Sequence, residues 1–307
     1  MGKAESRIPE NRQHLDPITS AGFLAFRQTL RRSLTLLLLT VVGPVLAQAT
    51  GKLNDTGMTR CGNNTSNSVT CSYADTDTTG TWPRQDGQMG RTAKDNTTGQ
   101  TLTKATGASS SKGFEFQKLA YIGGAGVVAT TAQGITAGLW GCTKDIVTGL
   151  IWDTKVTTAS NARLNTNTYN WTLSNGSFNG TVAGSAGTAS GTTCWSSNCD
   201  TDAFITFINA IDADGAGAGT AGVCGETLND WRLPTRAELM NLVDAAKAGT
   251  GVPAIDATYF PNMRAGKYWT RDNVAADANS ARWVDISTGQ DGTSSKSSKY
   301  FVILVRP

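Results

Sequence analysis

The segment Asp230-Trp231-Arg232-Leu233-Pro234-Thr235-Arg236-Ala237-Glu238-Leu239 decides the fold, because several independent signals in it specify the start of a helix. Thr235 and Glu238 have the spacing of a capping box, in which each side chain accepts a hydrogen bond from a backbone N–H of the other residue. Pro234 cannot lie inside a helix, so it fixes where the helix begins. The agreement of these signals predicts a structural centre of the fold and does not by itself indicate chemistry.

The helix that follows is predicted to run from about Arg236 to Lys247. It presents one apolar face, formed by Leu239, Leu242 and Val243. Trp231 and Leu233 lie immediately upstream. We therefore expect both side chains to pack beneath the helix.

A second helix is predicted upstream, capped by Asp200 or Thr201 and ending near Asp214-Gly215. Its buried stripe follows the i, i+3, i+4, i+7 spacing, at Phe204, Phe207, Ile208 and Ile211. Between this helix and the preceding strand, residues 156–193 are low in complexity, with Tyr169 and Trp171 as their large apolar residues. This stretch is predicted to be a long surface excursion.

Strands account for most of the remaining periodicity. They are predicted at Phe114–Phe116, Gly149–Asp153, Tyr268–Thr270, Arg282–Ile286 and Tyr300–Val305. The last of these runs is almost entirely apolar, which is typical of a central strand buried on both faces. Its expected partner is the strand that ends at Asp153.

The N-terminus has the pattern of a signal peptide. Arg27, Arg31 and Arg32 precede the apolar run Leu34–Val42, and Ala47-Gln48-Ala49 supplies a small-residue cleavage pattern. We expect cleavage after Ala49, by the general or the twin-arginine export route, and no membrane span in the mature protein. The predicted location is therefore outside the cytoplasm: periplasmic, at the cell surface or secreted.

The predicted organisation has three parts: a signal peptide at 1–49, a loop-rich N-terminal module at 50–140 and a domain at 141–307. The whole chain of 307 residues has 27 Lys and Arg against 24 Asp and Glu. Six of those cations and three of those acids lie in residues 1–49, so the mature chain is neutral. A neutral chain does not attract nucleic acid by its global charge, and no nucleic-acid partner is predicted.

The six cysteines are even in number, and an exported protein meets an oxidising compartment, so three disulfides are expected. Fifteen pairings exist in principle. The favoured set is two local staples and one long-range bond: Cys61–Cys71, Cys194–Cys199 and Cys142–Cys224.

Catalysis and metal binding are not predicted. The only histidine, His14, lies in the segment that signal cleavage would remove. The mature chain then has no histidine to act as a general base, triad member or metal ligand. The sequence has no C-x-x-C pair typical of a zinc site, and no cofactor is predicted.

A series of short motifs resembles the Lcl C-terminal domain family (DUF1566) over about 141–307. The matching stretches are Cys142–Asp145, Thr148–Trp152, Cys199–Thr201, Asn209–Ala210, Cys224–Gly225, Asp230–Thr235, Glu238–Leu239, Val243–Asp244, Pro253–Asp256, Tyr259–Pro261, Tyr268–Thr270 and Leu304–Arg306. The resemblance is specific because many motifs recur in the same order.

The resemblance implies an α+β, C-type-lectin-like domain with two helices on a mostly antiparallel sheet, following the loop-rich N-terminal module. It also implies a surface or secreted role. Relatives that carry a collagen-like stalk bind sulfated glycosaminoglycans and self-adhere as trimers. This chain has no Gly-x-y stalk, so the resemblance does not extend to trimerisation, and it supplies no catalytic residues.

The first functional hypothesis is therefore a non-enzymatic binding or adhesion protein whose partner is a glycan, such as a sulfated one, or another surface polymer. Trp171, Trp269 and Trp283 are the tryptophans that could stack on sugar rings. Residues 257–307 hold seven Lys and Arg against four Asp and Glu. The cations that could bind sulfate or carboxylate groups are Arg264, Lys267, Arg271, Arg282, Lys296 and Lys299. The alternative interpretation, that the tryptophans are core residues and the cations are solvated, stays open.

Two other functions are weighed against binding. One is a structural subunit of a surface or fibre assembly, which would self-associate. The other is an enzyme of the formylglycine-generating type, because the segment Arg232–Leu239 resembles a motif of those lectin-like enzymes. Enzymes of that type carry a pair of redox cysteines near the C-terminus. In this sequence no cysteine follows Cys224.

Overall fold

The computed structural model of the chain describes residues 53–58, 60–71, 85, 113–121, 139–158, 161–173, 194, 198–214, 224 and 230–307. The predicted signal peptide lies outside these ranges, as do most of the N-terminal module and most of the excursion at 156–193. No helix within the ranges given combines the length and apolar character needed to cross a membrane.

The described residues form nine strands and two helices. In chain order they are β1 (Arg60–Cys61), β2 (Val69–Thr70), β3 (Phe116–Ala120), β4 (Trp140–Asp145), β5 (Ile151–Asp153), α1 (Thr201–Asp214), α2 (Arg236–Met240), β6 (Lys267–Val274), β7 (Asp277–Asp285), β8 (Gln290–Ser295) and β9 (Val305–Arg306). The strands pair antiparallel in three sheets. The domain is therefore α+β with antiparallel sheets, as predicted.

The four-stranded sheet has the order β3-β4-β5-β9. The β4–β5 turn is closed by Asp145, whose Oδ1 accepts from the backbone N–H of Val147 at 3.0 Å. It ends at Gly149, whose φ of 81° lies in the left-handed region that glycine adopts without strain. Beyond the turn, Trp152 of β5 pairs with Val305 of β9, which confirms the partner predicted for the terminal run.

The terminal run is not the single central strand that its apolar sequence predicts. Tyr300 pairs with Tyr169, Phe301 pairs with Tyr268 of β6, and only Val305 and Arg306 form a strand with β5. Val305 also exchanges two backbone hydrogen bonds with Arg232, at 3.0 and 2.9 Å. Residues 302–306 are buried, as expected. The backbone groups of the whole run have several partners in turn, so the run links the three-stranded sheet to the four-stranded sheet.

The first helix agrees with its prediction. α1 begins after Asp200, whose Oδ1 accepts from the backbone N–H of Ala203 at 2.8 Å. Phe204 and Ile208 are buried. The helix ends at Asp214, as the sequence indicates.

The second helix begins as predicted but is shorter. Both hydrogen bonds of the capping box are present, from Glu238 N to Thr235 Oγ1 at 3.1 Å and from Thr235 N to Glu238 Oε2 at 2.7 Å. However, α2 ends at Met240 rather than near Lys247, because the chain tightens into i−3 turns, in which Leu242 N donates to Leu239 O at 3.2 Å and Val243 N to Met240 O at 3.1 Å. The donors that follow leave the helix altogether. Asp244 N donates to Ala254 O, and Ala245 N donates to Thr56 O. The apolar face formed by Leu239, Leu242 and Val243 is nevertheless buried.

All three predicted disulfides are present: Cys61–Cys71, Cys142–Cys224 and Cys194–Cys199. The first joins β1 to the residue that follows β2, and the two strands pair with Cys61 opposite Val69. The second joins β4 to Cys224 across 82 positions of sequence. It lies in the apolar cluster that also contains Phe204, Trp231 and Trp269.

Part of the N-terminal module is built into the same fold as the domain that follows it. β3 pairs with β4 along its whole length, and Phe114 and Phe116 belong to the apolar cluster that contains Leu239. Asn54 donates from Nδ2 to Asp145 Oδ2 at 2.6 Å. Position 140 therefore does not separate two independent cores.

Candidate binding surface on the three-stranded sheet

Trp283 lies at the centre of the sheet with strand order β6-β7-β8, where it pairs with Trp269 on one side and Gly292 on the other. A Cβ atom built on Gly292 would lie 2.5 Å from Trp283 Cζ2, so the indole ring rests directly against the glycine backbone. Only a glycine permits this close approach. The indole is half-buried, so part of it faces solvent.

Two polar contacts fix the orientation of this indole. Trp283 Nε1 donates to Ser294 Oγ at 3.0 Å, and Ser294 Oγ lies 2.8 Å from the Tyr300 hydroxyl. The Tyr300 ring meets Trp283 edge-on, with 6.4 Å between ring centroids and an interplanar angle of 74°. The indole is thus held in one orientation while it stays only partly buried.

A lysine lies over the same rings. Lys267 Nζ is 4.0 Å from the Trp283 ring centroid and 5.3 Å from that of Tyr300. Lys267 forms no ion pair within the part of the chain that the structure describes. We call Lys267, Trp283, Ser294 and Tyr300 the Trp283 surface; it combines two aromatic side chains, a cation and two hydroxyl groups.

The structure corrects the prediction for Trp269, which is buried with no exposed fraction. Its Nε1 donates to Tyr169 O at 2.7 Å. Trp171 is also buried, and its Nε1 donates to Thr270 O at 2.7 Å. Neither ring can stack on a sugar, because the segment that contains Tyr169 and Trp171 packs against β6 and covers it.

The predicted cations separate into groups. Arg271 and Arg282 lie near Arg232 and Arg236, two arginines that are not among the predicted binding residues. Arg282 and Arg236 both approach Asp291, at 3.9 and 3.0 Å. Burial lowers the pKa of Arg271, and the positive charge of Arg232 lowers it further.

Arg232 forms an ion pair with the carboxylate of Glu238. Arg232 Nη1 and Nη2 donate to the two Glu238 oxygens at 2.8 and 2.7 Å, which is the bidentate geometry. Burial alone would raise the pKa of Glu238, but the hydrogen bonds and charge of Arg232 reverse this and lower it. These arginines are therefore largely matched by carboxylates, unlike Lys267.

Lys296 is not a surface cation. It is 3% exposed, its Nζ lies 4.5 Å from the Trp171 ring centroid, and burial lowers its pKa. Arg264 is exposed in the turn before β6, and Lys299 is half-buried next to Tyr300. Of the predicted binding residues, the structure brings Trp283 and Lys267 into contact and places Arg271 and Arg282 in the separate arginine group.

A groove of about 240 Å³ lies elsewhere, between Asn54–Thr56, α2 and the β7–β8 turn. Its lining has neither a cation nor an aromatic ring, so it lacks the chemistry expected for an acidic sugar. No group of three potential metal-ligating side chains is found in the described ranges.

Comparison with known proteins gives one match. The model of the Lcl C-terminal domain matches residues 141–306. No curated protein and no solved structure matches the chain. The family model spans more than half of the chain and covers the capping box, the Cys142–Cys224 disulfide and the Trp283 surface, so the chain belongs to the Lcl C-terminal domain family.

Proposed function

We propose that this chain is an exported binding module, C-type-lectin-like in architecture, that holds an acidic carbohydrate on the Trp283 surface. One observation carries the proposal: Trp283 is partly buried and fixed in orientation beside Lys267, whose ammonium forms no ion pair among the described residues. An indole offers an apolar face to the C–H groups of a sugar ring. The adjacent ammonium and hydroxyl groups supply charge and hydrogen bonds for a sulfate or carboxylate.

Export is part of the proposal. It is supported by the signal-peptide pattern at 1–49 and by the three disulfides, which persist in oxidising compartments. Periplasmic, surface-attached and secreted locations are all consistent with those features.

A non-enzymatic role is also part of the proposal. All six cysteines are paired, so no free thiol remains for chemistry of the formylglycine-generating type. This supports a binding role over that enzymatic alternative.

The test is binding of the purified, oxidised chain to an array of glycans that includes heparin, at low and high salt. We expect Lys267→Met to weaken binding by about tenfold or more, since one hydrogen bond to a charged group contributes about 1.5–3 kcal/mol. Trp283→Ala should also weaken binding, because it removes the apolar face on which the sugar ring would stack. We expect binding to weaken as salt increases, because the charge contact is screened.

Lys118 offers a matched control. Its Nζ lies 4.2 Å from the Trp140 ring centroid, so Lys118→Met removes the same kind of cation–π contact at a different place in the fold. We expect this variant to bind like the wild type. Absence of binding by the wild type at low salt, or equal losses in the two lysine variants, would exclude the proposal.

The alternative, a structural subunit of a surface or fibre assembly, is favoured by one observation. β8 is the edge strand of its sheet, and its outer edge has no strand partner within the described ranges. An exposed edge can pair with a strand of a second copy. Size-exclusion chromatography with light scattering tests this alternative: a monomer at high protein concentration would rule out pairing of this kind.

A further inference from the structure

Lys267 lies over the ring on which the proposed function places a sugar. Its Nζ is 4.0 Å from the Trp283 ring centroid, which is within the range of a cation–π contact. A sugar ring needs an open aromatic face on which to stack. The position of this ammonium therefore affects which glycans the Trp283 surface admits.

One side of the indole is closed by the protein backbone. A Cβ atom built on Gly292 would lie 2.5 Å from Trp283 Cζ2 and 3.0 Å from Cη2, so the six-membered ring of the indole rests on β8. Tyr300 meets the indole at 74° and does not stack on it. These contacts leave one face of the indole on which a sugar could stack.

The backbone of Lys267 is fixed, but its side chain is not tethered. Phe301 N donates to Lys267 O at 3.0 Å, and Lys267 pairs with Asp285 across β6 and β7. The Asp285 carboxylate closes the turn after β7, where its Oδ1 accepts from Ser287 N at 2.9 Å and from Ser287 Oγ at 2.6 Å. Lys267 is only partly buried. Its flexible stem can therefore carry the ammonium off the ring at the cost of the cation–π contact.

The displacement of this ammonium has different consequences for neutral and acidic glycans. A neutral sugar on the indole would remove the cation–π contact and offer the ammonium no opposite charge. An acidic sugar would remove the same contact but offer a sulfate or carboxylate to the displaced ammonium. A charge-assisted hydrogen bond contributes more than a partly exposed cation–π contact. The charge of the glycan thus decides whether uncovering the ring is favourable.

We propose that Lys267 covers the remaining face of the Trp283 indole and determines specificity, because this cover excludes neutral glycans and opens for glycans that carry a sulfate or carboxylate. The inference rests on the proposed function and adds a mechanism of selection to it. Specificity then comes from a penalty against neutral glycans as well as from attraction to acidic ones.

Two probes with the same sugar backbone test the cover. One is a heparin oligosaccharide, and the other is the same oligosaccharide made neutral by desulfation, N-acetylation and carboxyl reduction. Dissociation constants for the purified oxidised chain are measured by NMR titration at low salt. Lys267→Ala should weaken binding of the acidic probe by about tenfold or more. It should strengthen binding of the neutral probe by about two- to fivefold, the change that corresponds to a partly exposed cation–π contact.

Three further variants separate the cover from the charge. Lys267→Met keeps a side chain that can lie over the ring without a charge, so it should weaken acidic binding and give no gain in neutral binding. Lys118→Ala removes a lysine over the buried ring of Trp140 and should leave both dissociation constants unchanged. Trp283→Ala added to Lys267→Ala should abolish the gain in neutral binding.

The wild type alone provides a second measurement. The ring current of Trp283 should shift the ε-CH₂ signals of Lys267 upfield of those of the other lysines. The acidic probe should return these signals towards their ordinary position, because it draws the ammonium off the ring.

The outcomes distinguish this inference from the proposed function. If the wild type binds the acidic probe but Lys267→Ala shows no gain in neutral binding, or no measurable neutral binding, the cover is overturned and the proposed function stands. An equal gain in Lys267→Met would also overturn the cover. A wild type that binds neither probe would overturn the proposed function, and this inference with it.

Discussion

Trp231 and Trp283 both have cations beside their rings, but the two sites differ in exposure. Trp231 is 1% exposed, and two buried guanidiniums, those of Arg163 and Arg306, lie beside its ring. Trp283 is half-buried, and its cation is the ammonium of Lys267. A desolvated cation–π contact contributes more free energy than an exposed one. The comparison teaches that the same contact stabilises the fold at Trp231 and leaves a surface available for binding at Trp283.

The largest expected effect follows from removing the buried ring. Trp231→Ala should lower the free energy of unfolding by about 3–5 kcal/mol, because it creates a cavity in the core and removes a ring that two buried guanidiniums contact. Urea unfolding measures the change. Trp283→Ala is the matched variant and should cost about half as much or less, because its ring is only half-buried. Equal losses would remove the distinction between the two sites.

A smaller effect is expected from the carboxylate of Glu238, which pairs with Arg232. Glu238→Gln should lower the free energy of unfolding by about 1–3 kcal/mol at neutral pH, because it weakens the capping box and the bidentate contact with Arg232. The pKa of Glu238 is lowered in the fold from its usual 4.5, so the stabilisation is present above that value. It is lost as the pH falls through the lowered pKa, where the carboxylate of the folded chain becomes protonated.

Urea unfolding across a series of pH values checks this prediction, with Arg232→Met and the double variant completing a mutant cycle. The wild type and Glu238→Gln should converge in stability in acid. A stability difference that stays constant down to the most acidic pH would show that the carboxylate charge does not contribute.

The smallest effect on stability is expected at Gly292. Gly292→Ala places a Cβ 2.5 Å from Trp283 Cζ2, so the indole must move away from the strand. Because the ring is half-exposed and can move outward, the expected loss is about 1 kcal/mol or less. Tryptophan fluorescence should shift to longer wavelength, and glycan binding should weaken. Unchanged fluorescence together with unchanged binding would mean that the glycine does not position the ring.

Features set by neighbouring residues were predictable from the sequence. The capping box between Thr235 and Glu238 requires only residues three positions apart, and the start of α2 follows from it. The stripe of α1 and the turn between β4 and β5 are likewise local. The short staples Cys61–Cys71 and Cys194–Cys199 were predictable because their partners are close along the chain.

Features set by distant residues were not predictable. The apolar spacing of α2 continues to Val243, but the helix does not continue towards Lys247, because Asp244 N donates to Ala254 O and Ala245 N donates to Thr56 O, far away in sequence. The periodicity of a sequence does not show such competition for a backbone donor. The strand Val305–Arg306 is short for a similar reason. Its residues pair with β5, and Val305 also exchanges backbone hydrogen bonds with Arg232.

The candidate site was predictable in composition but not in arrangement. Trp269 and Trp283 are paired across β6 and β7, and only the cover provided by Tyr169 and Trp171 makes one buried and the other half-exposed. Arg236 was missed because residues 200–256 hold three Lys and Arg against nine Asp and Glu. Its proximity to Arg282 depends on tertiary packing around Asp291.

The contact of Asn54 with Asp145, together with the pairing of β3 and β4, bears on how this protein should be dissected. A recombinant fragment cut at the start of the family match would lose Phe114, Phe116 and an edge strand, and would expose the apolar surface they cover. The stretch that the family model matches is therefore shorter than the stretch that must be kept for the domain to fold on its own.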